Sequence, residues 1–136
     1  DEENPALGVR GFRLARDSEE LLRTQLAAIA RAAGRSGGEA WVMAPMVATV
    51  EEAARFAALA RASGVERVGV MVEVPSAALR ARDLLAEVDF ISIGTNDLAQ
   101  YTMATDRLQG ALADLLAPWQ PAVLDLVAAA AAAGVE

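Results

Sequence analysis

Apolar residues gather along the chain in three short runs, Trp41–Val47, Val68–Val74 and Phe90–Ile93. Each run is nearly continuous rather than alternating between apolar and polar positions. This pattern is typical of strands in a parallel sheet that is covered on both faces. A weaker run, Gly11–Leu14, predicts a further strand near the start of the chain.

Helical patterns fill the intervals between these runs. Thr49 and Glu52 match a capping box, in which both side chains bind backbone N–H groups at a helix start. Proline is favoured in the first turn of a helix, and glycine is favoured just after the last turn. The predicted helices run from Asp17 or Ser18 to Gly34, from Thr49 to Ser63-Gly64, from Pro75 through Leu85, and from Pro121 to Gly134.

The alternation of strands and helices predicts an α/β fold with parallel strands. Either a doubly wound sheet or a (β/α) barrel would give this order. The sequence has no glycine-rich phosphate loop, which lowers the expectation of a doubly wound nucleotide-binding fold. We therefore expect a partial (β/α)8 TIM barrel of about four βα units. Residues 1–136 are expected to be a single partial domain, a fragment of a longer protein.

Composition narrows the classes of partner. The net charge of −7 argues against nucleic acid, because a phosphate backbone requires a basic surface. It leaves room for a small anion, since a few arginines can dominate one cleft. The chain has no Cys and no His, so none of its residues can carry out thiol chemistry or imidazole catalysis. No apolar stretch predicts a membrane span and no signal peptide is present, so a cytoplasmic location is expected.

Two carboxylates follow successive predicted strands and carry the candidate chemistry. Glu73 lies within the second long run, and Asp97 follows the third. Active-site groups gather at the carboxyl ends of parallel strands, where two carboxylates ~4 Å apart would repel by about 4 kcal/mol at an effective dielectric of about 20. Mg²⁺ would remove this repulsion and leave coordination positions for substrate oxygens. Arg10 and Arg107 could clamp a phosphate or carboxylate.

Simpler interpretations exist for each of these residues. Thr95 and Asp97 could cap a helix that begins near Leu98. Glu73 could pair with a structural arginine, and Asp106-Arg107 could be a solvated surface pair. Arg10 and Arg13 lie three positions apart, so on a strand they would face opposite sides and at most one would enter a site.

Four segments together resemble a known family. Glu3–Arg13, Val42–Met46, Gly69–Ala78 and Asp89–Leu98 are similar to the phosphoenolpyruvate-binding domain of enzyme I, the phosphotransferase of the bacterial sugar phosphotransferase system. Pyruvate phosphate dikinase and phosphoenolpyruvate synthase have similar motifs. The segment Gln100–Arg107 is closer to the enzyme I version, and the resemblance covers essentially the whole chain.

The resemblance implies specific roles for the candidate residues. Glu73 and Asp97 resemble Mg²⁺ ligands, Asn96 resembles a substrate contact, and Arg10 and Arg107 resemble phosphate-binding arginines. It further implies roughly the third to sixth βα units of the barrel and a homodimer. The implied activity moves the phosphoryl group of phosphoenolpyruvate to an enzyme histidine and then to a histidine-containing phosphocarrier protein, releasing pyruvate.

Some family features are missing from the chain. The phospho-accepting histidine belongs to a separate N-terminal domain, and the proton-donating cysteine to a later barrel strand, so no catalytic residue is expected within these residues. We expect the isolated chain to be inactive and, with two unpaired strand edges, to be poorly stable or to self-associate. Trp41 stands where the family often has an arginine or lysine that touches phosphate.

Three other functions remain open. The barrel could belong to a dikinase or synthase, to a Mg²⁺-dependent aldolase or lyase, or to a non-catalytic degenerate binding module.

Overall fold

A computed structural model describes residues 5–117 and 119–134 of the chain. Its sheet contains three parallel strands in the order β1-β2-β3, namely β1 (Trp41–Ala44), β2 (Arg67–Val72) and β3 (Phe90–Ile93). Six α-helices accompany the sheet: α1 (Glu19–Ser36), α2 (Val50–Ala62), α3 (Pro75–Leu79), α4 (Ala81–Leu85), α5 (Thr95–Thr102) and α6 (Pro121–Ala133). Short 3₁₀ helices cover Pro5–Leu7, Gly11–Arg16 and Gly110–Leu116. Of the positions discussed above, Glu3 and Asn4 lie outside the described residues, as do residues 135 and 136 at the end of the predicted domain.

The strand predicted over Gly11–Leu14 is wrong, because this segment belongs to the 3₁₀ helix Gly11–Arg16. Gly11 has a φ of +57°, and a Cβ there would lie 2.8 Å from the Cβ of Met46. The N–H of Phe12 donates to the carbonyl of Pro45 at 3.1 Å. A left-handed glycine and this contact with the end of β1 turn the chain away from an extended path.

The other predicted strands are confirmed, β3 with the predicted bounds and β1 and β2 with earlier ends. β1 ends at Ala44 rather than Val47, and β2 ends at Val72 rather than Val74. Glu73 therefore lies just beyond β2 instead of within it. This position lets the carboxylate turn toward the edge of the sheet where strands end.

Two helix boundaries differ from the predictions. Helix α1 passes through Gly34 and ends at Ser36, and Gly37 adopts the left-handed conformation that terminates it. The third predicted helix divides into α3 and α4 at Arg80, whose φ of −112° and ψ of 20° lie outside the helical range. The Thr49 half of the capping box is confirmed, since its hydroxyl accepts the N–H of Glu52 at 3.2 Å, whereas the Glu52 carboxylate accepts the N–H of Ala48 rather than that of Thr49.

One face of the sheet packs against helices and forms the core. Val68, Val70 and Val72 are completely buried on this face of β2. Leu84 of α4 and Leu98 of α5 are also completely buried and belong to the same apolar cluster. Alternate residues of a strand point to opposite faces, so the remaining positions of β2 line the other side of the sheet.

That other side carries large side chains with much exposed surface. Trp41 is 61% exposed, and its ring centroid lies 5.1 Å from that of Phe90. Gly69 makes the contact possible, because a Cβ there would come within 2.5 Å of the Phe90 ring. The indole N–H of Trp41 donates to Glu39 at 2.9 Å.

The described residues thus form a mixed α/β structure with a parallel sheet, consistent with part of an α/β barrel. The number of βα units stays a prediction. Within residues 5–117 and 119–134, no single helix is long and apolar enough to cross a membrane. One pair of helices bent by 49°, Gly110–Leu116 with Pro121–Ala133, meets the criterion by length and composition alone.

Candidate functional site

The ends of β1 and β2 meet through the carboxylate of Glu73. This residue is only 5% exposed, and its Oε1 atom accepts the backbone N–H of Met46 at 2.6 Å. Met46 lies two residues beyond β1 and has a φ of 59°, which few non-glycine residues adopt. Such strained backbone is often found at functional sites. Here it aims an N–H group at the Glu73 carboxylate.

Glycine at the end of β3 leaves room for this carboxylate. A Cβ at Gly94 would lie 3.0 Å from both the Cβ and the Oε2 atoms of Glu73. It would also lie 2.9 Å from the sulfur of Met71. Any larger residue at position 94 would therefore push the Glu73 side chain aside.

Asp97 approaches the same edge from the first turn of α5. Its Oδ1 atom lies 3.4 Å from Nη2 of Arg10, and its Oδ2 atom lies 3.8 Å from Nη1 of Arg107. The carboxylate is 13% exposed, whereas the arginine side chains are 32% and 47% exposed, respectively. One carboxylate thus lies between two guanidinium groups that still face solvent.

The two carboxylates influence each other. Burial raises the pKa of Glu73 above its ordinary value, and the negative charge of Asp97 raises it further. The N–H of Met46 and the positive charges of Arg10 and Arg107 act in the opposite direction and lower this pKa. A cation between the carboxylates would favour the charged form of Glu73.

The donor set fits Mg²⁺ better than a closed structural metal site. Mg²⁺ is typically held by one or two carboxylates, and substrate phosphates and water supply its remaining ligands. Glu73 and Asp97 could provide two hard oxygen ligands. In the described part of the chain, no group of three or more His, Cys, Asp or Glu side chains could hold a metal ion. Any ion here would therefore depend on substrate and water for most of its coordination.

Asn96 and Arg107 border an adjacent cavity with a volume of ≈ 280 Å³. Asn96 is exposed and occupies the first turn of α5, beside Asp97. Thr95, Ala99, Leu116 and Val123 complete the cavity lining. The amide of Asn96 and the guanidinium of Arg107 therefore face the same space.

The structure contradicts two of the simpler interpretations. Helix α5 begins at Thr95 rather than near Leu98, and Gly94 is its N-cap residue, so neither Thr95 nor Asp97 caps it. Asp106 accepts the N–H of Leu108 at 2.9 Å, while the Arg107 side chain turns toward Asp97. These two residues are therefore not a simple surface pair.

The contacts of Glu73, Arg13 and Trp41 answer the other questions that the sequence raised. In the described part of the chain, no arginine nitrogen lies within ion-pair distance of Glu73, so pairing with a structural arginine is not observed. Arg13 donates to the carbonyl of Gly8 at 3.2 Å and lies 4.0 Å from a carboxylate oxygen of Glu52. Of the two N-terminal arginines, only Arg10 reaches Asp97. Trp41 lies on the open face of the sheet, hydrogen-bonded to Glu39 and with its ring tilted by 42° against that of Phe90.

Two residues beside the site had no role in the sequence-based prediction. Gln100 is 5% exposed, and its Oε1 atom accepts the backbone N–H of Arg107 at 3.1 Å. Its own carbonyl accepts the N–H of Thr105 at 3.0 Å, so Gln100 closes the loop that carries Arg107. Tyr101 contacts Arg10 through its hydroxyl group. Both residues follow Asn96 and Asp97 within α5, and this closeness to the candidate residues was the indication of a role that the sequence offered.

Comparison with known proteins gives the family of the chain. The family described as PEP-utilising enzyme, PEP-binding domain, matches residues 1–135. The chain therefore belongs to this family of phosphoenolpyruvate-binding domains. The family resemblance identified from the sequence is therefore confirmed.

Individual relatives show which named proteins the chain is similar to. The phosphoenolpyruvate-protein phosphotransferase of Streptomyces coelicolor is 58% identical over 134 residues, which cover 98% of this chain and 24% of that protein. The protein of the same name from Latilactobacillus sakei is 42% identical, over 93% of this chain and 24% of the relative. A multiphosphoryl transfer protein of Rhodobacter capsulatus is 47% identical, over 93% of this chain and 16% of the relative. The chain spans about a quarter or less of the relatives' lengths.

Proposed function

We propose that the chain is the phosphoenolpyruvate-binding part of a phosphoenolpyruvate–protein phosphotransferase. The main support is the convergence of Glu73 and Asp97 with Arg10 and Arg107 at the edge where parallel strands end. The names of the relatives agree with this assignment. In this proposal, the chain is part of a longer protein, the complete phosphotransferase, which also contains the remaining domains.

In this proposal, Arg10 and Arg107 bind the phosphate of phosphoenolpyruvate. A guanidinium is positively charged and can give two parallel N–H donors to one phosphate. Both side chains are partly exposed, so they can turn from Asp97 toward a bound anion. Asn96 faces the adjacent cavity and contacts the substrate through its amide.

Glu73 and Asp97 would hold Mg²⁺ in the same site. When bound, the ion supplies positive charge to the phosphate and carboxylate oxygens of phosphoenolpyruvate. The N–H of Met46 fixes one oxygen of Glu73, which leaves the other oxygen for the ion. Such a cation would stabilise the charged form of Glu73, which burial disfavours.

The reaction transfers a phosphoryl group from oxygen to nitrogen. The bond between phosphorus and the enol oxygen breaks as a bond to a histidine nitrogen forms, and the enolate takes a proton to become pyruvate. Neither His nor Cys occurs in this chain, so the acceptor and the proposed proton donor lie elsewhere in the complete phosphotransferase. The phosphoryl group then passes to a histidine-containing phosphocarrier protein. On this basis, the isolated chain would be inactive.

The open edges of the sheet support a partial barrel. In the described part of the chain, β1 and β3 each pair only with β2, so each has one unpaired edge. Beside β1 lies an apolar cavity of ≈ 380 Å³ that is lined by α1 and the segment before it. We propose that further strands of a (β/α)8 barrel continue from both edges. A homodimer and a cytoplasmic location stay predictions.

The phosphoryl donor separates this proposal from its alternatives. The complete phosphotransferase is expected to label a histidine-containing phosphocarrier protein from phosphoenolpyruvate in the presence of Mg²⁺, with release of pyruvate. The measurement follows phosphate incorporation and pyruvate together, with ATP plus pyruvate as the alternative substrates. Formation of phosphoenolpyruvate from ATP and pyruvate, without labelling of the carrier protein, would identify a dikinase or synthase. Failure to bind phosphoenolpyruvate would favour a non-catalytic module.

A further inference from the structure

We infer that Tyr101 is a positioning residue that holds Arg10 in place for the phosphate, an inference that rests on the proposed function. Asp97 and Tyr101 lie four residues apart on α5, so their side chains share one face of the helix. Arg10 contacts both of them. Its Nη2 atom lies 3.4 Å from Asp97, and its Nη1 atom donates to the Tyr101 hydroxyl at 3.4 Å.

The direction of the hydrogen bonds at Tyr101 is fixed by chemistry. A guanidinium has only donors, so the phenolic oxygen must accept from Arg10. The phenolic proton is then free for the backbone carbonyl of Ala6, which accepts it. The sulfur of Met46 lies 3.7 Å from the same oxygen and is the weaker acceptor. The hydroxyl is thereby oriented with its lone pairs toward the arginine.

These contacts fix the segment that carries Arg10. Ala6 belongs to the 3₁₀ helix Pro5–Leu7, and Arg10 follows it with an extended backbone at φ −147°. Tyr101 thus binds this segment at two points, once through the backbone and once through the arginine side chain. The segment has no strand ladder to hold it, so such contacts determine where the guanidinium lies.

Tyr101 becomes more important when the site is filled. Asp97 is both the second side-chain partner of Arg10 and a proposed metal ligand. Once its oxygens turn toward a cation, Tyr101 is the remaining side-chain partner of Arg10 among the residues that the structure describes. The phenol is neutral, so it orients the guanidinium without neutralising the charge that the phosphate requires. A carboxylate in the same place would compete with the substrate.

The test is a double-mutant cycle in the complete phosphotransferase. Tyr101→Phe keeps the ring and removes only the hydroxyl. With Mg²⁺ present, we expect it to weaken phosphoenolpyruvate binding by about tenfold, as for loss of a hydrogen bond to a charged group. In an Arg10→Met background, the same change should have less than a twofold effect. Isothermal titration calorimetry measures all four dissociation constants.

Thr102→Val is the matched control. It removes a hydroxyl on the same helix whose hydrogen bond, among the described residues, goes to the carbonyl of Leu98, and binding should stay unchanged. Unchanged binding by Tyr101→Phe would overturn the inference, as would an equal loss in both backgrounds, which indicates a general structural effect. If the wild type itself does not bind phosphoenolpyruvate, the proposed function fails, and this inference fails with it.

Discussion

Replacing Arg107 by methionine in the complete phosphotransferase is expected to lower kcat/KM for phosphoenolpyruvate by roughly 10³-fold. Arginines that neutralise charge on a transferring phosphoryl group contribute on this scale. The Arg107 side chain is 47% exposed and borders the cavity beside Asn96, so it can reach a bound phosphate. Its backbone is held by Gln100, which keeps the loop in place after the side chain is shortened. Steady-state kinetics measures the loss.

Two variants show whether the loss is specific to Arg107. Arg107→Lys keeps the charge but loses the planar fork, and an intermediate loss is expected. Arg80→Met removes a surface arginine that pairs with Asp83 at 2.7 Å and has no part in the proposed site, and activity should be unaffected. An Arg107→Met enzyme that keeps its activity within about threefold would remove this residue from the proposed mechanism, since even one lost charged hydrogen bond costs more.

The second large effect is expected from Glu73→Gln. Relative to the wild type, this variant should have a higher free energy of unfolding without ligand and a lower one with ligand. In the metal-free protein, the pKa of Glu73 lies above the value of 4.5 for the unfolded chain, chiefly because of burial. The folded state therefore binds more protons than the unfolded state between these two pKa values. The stability that this group contributes is present below the unfolded pKa and is lost as pH rises through the folded pKa.

Glu73→Gln should therefore be more stable than the wild type near pH 7 in the presence of a chelator. Its advantage should shrink as the pH falls toward about 4, since the wild-type carboxyl is then protonated. Urea unfolding of both proteins across this pH range measures the difference. Comparing the two proteins at each pH cancels groups such as Asp89, whose pKa is lowered by the N–H of Val68 and whose contribution has the opposite sign.

With Mg²⁺ and phosphoenolpyruvate added, the order should reverse. A ligand at 100 times its dissociation constant stabilises a protein by about 2.7 kcal/mol, and the wild type should gain this amount. The variant should gain almost none, because it lacks one proposed metal ligand. Glu66→Gln, at an exposed position before β2, is the control and should behave as the wild type. A wild type that is more stable than Glu73→Gln without ligand at pH 7 would contradict this account of the buried carboxylate.

The sequence was sufficient for the elements that depend on local pattern. The three apolar runs became the three strands, and the hydroxyl of Thr49 caps α2 as expected. The approach of Asp97 to the end of β2 also followed from a simple rule, that parallel strands end at one edge. This rule needs only the order of the elements and not their detailed packing.

Features that depend on distant contacts could not be predicted in this way. Gly11–Leu14 has the composition of a strand, but Gly11 packs against Met46 and Phe12 bonds to Pro45. Similarly, the N–H group that binds Glu73 comes from the backbone of Met46, so no side chain marks it in the sequence. Tyr101 resembles an ordinary helical residue until the fold brings Arg10 beside it.

Calorimetric titration of the complete phosphotransferase with phosphoenolpyruvate, with and without Mg²⁺, tests the central claim most directly. The wild type, Glu73→Gln and Asp97→Asn are compared under the same conditions. If the two carboxylates hold the ion that binds the substrate, Mg²⁺ will strengthen binding by the wild type and will have little effect on either variant. Equal, Mg²⁺-dependent binding by all three proteins would contradict the claim.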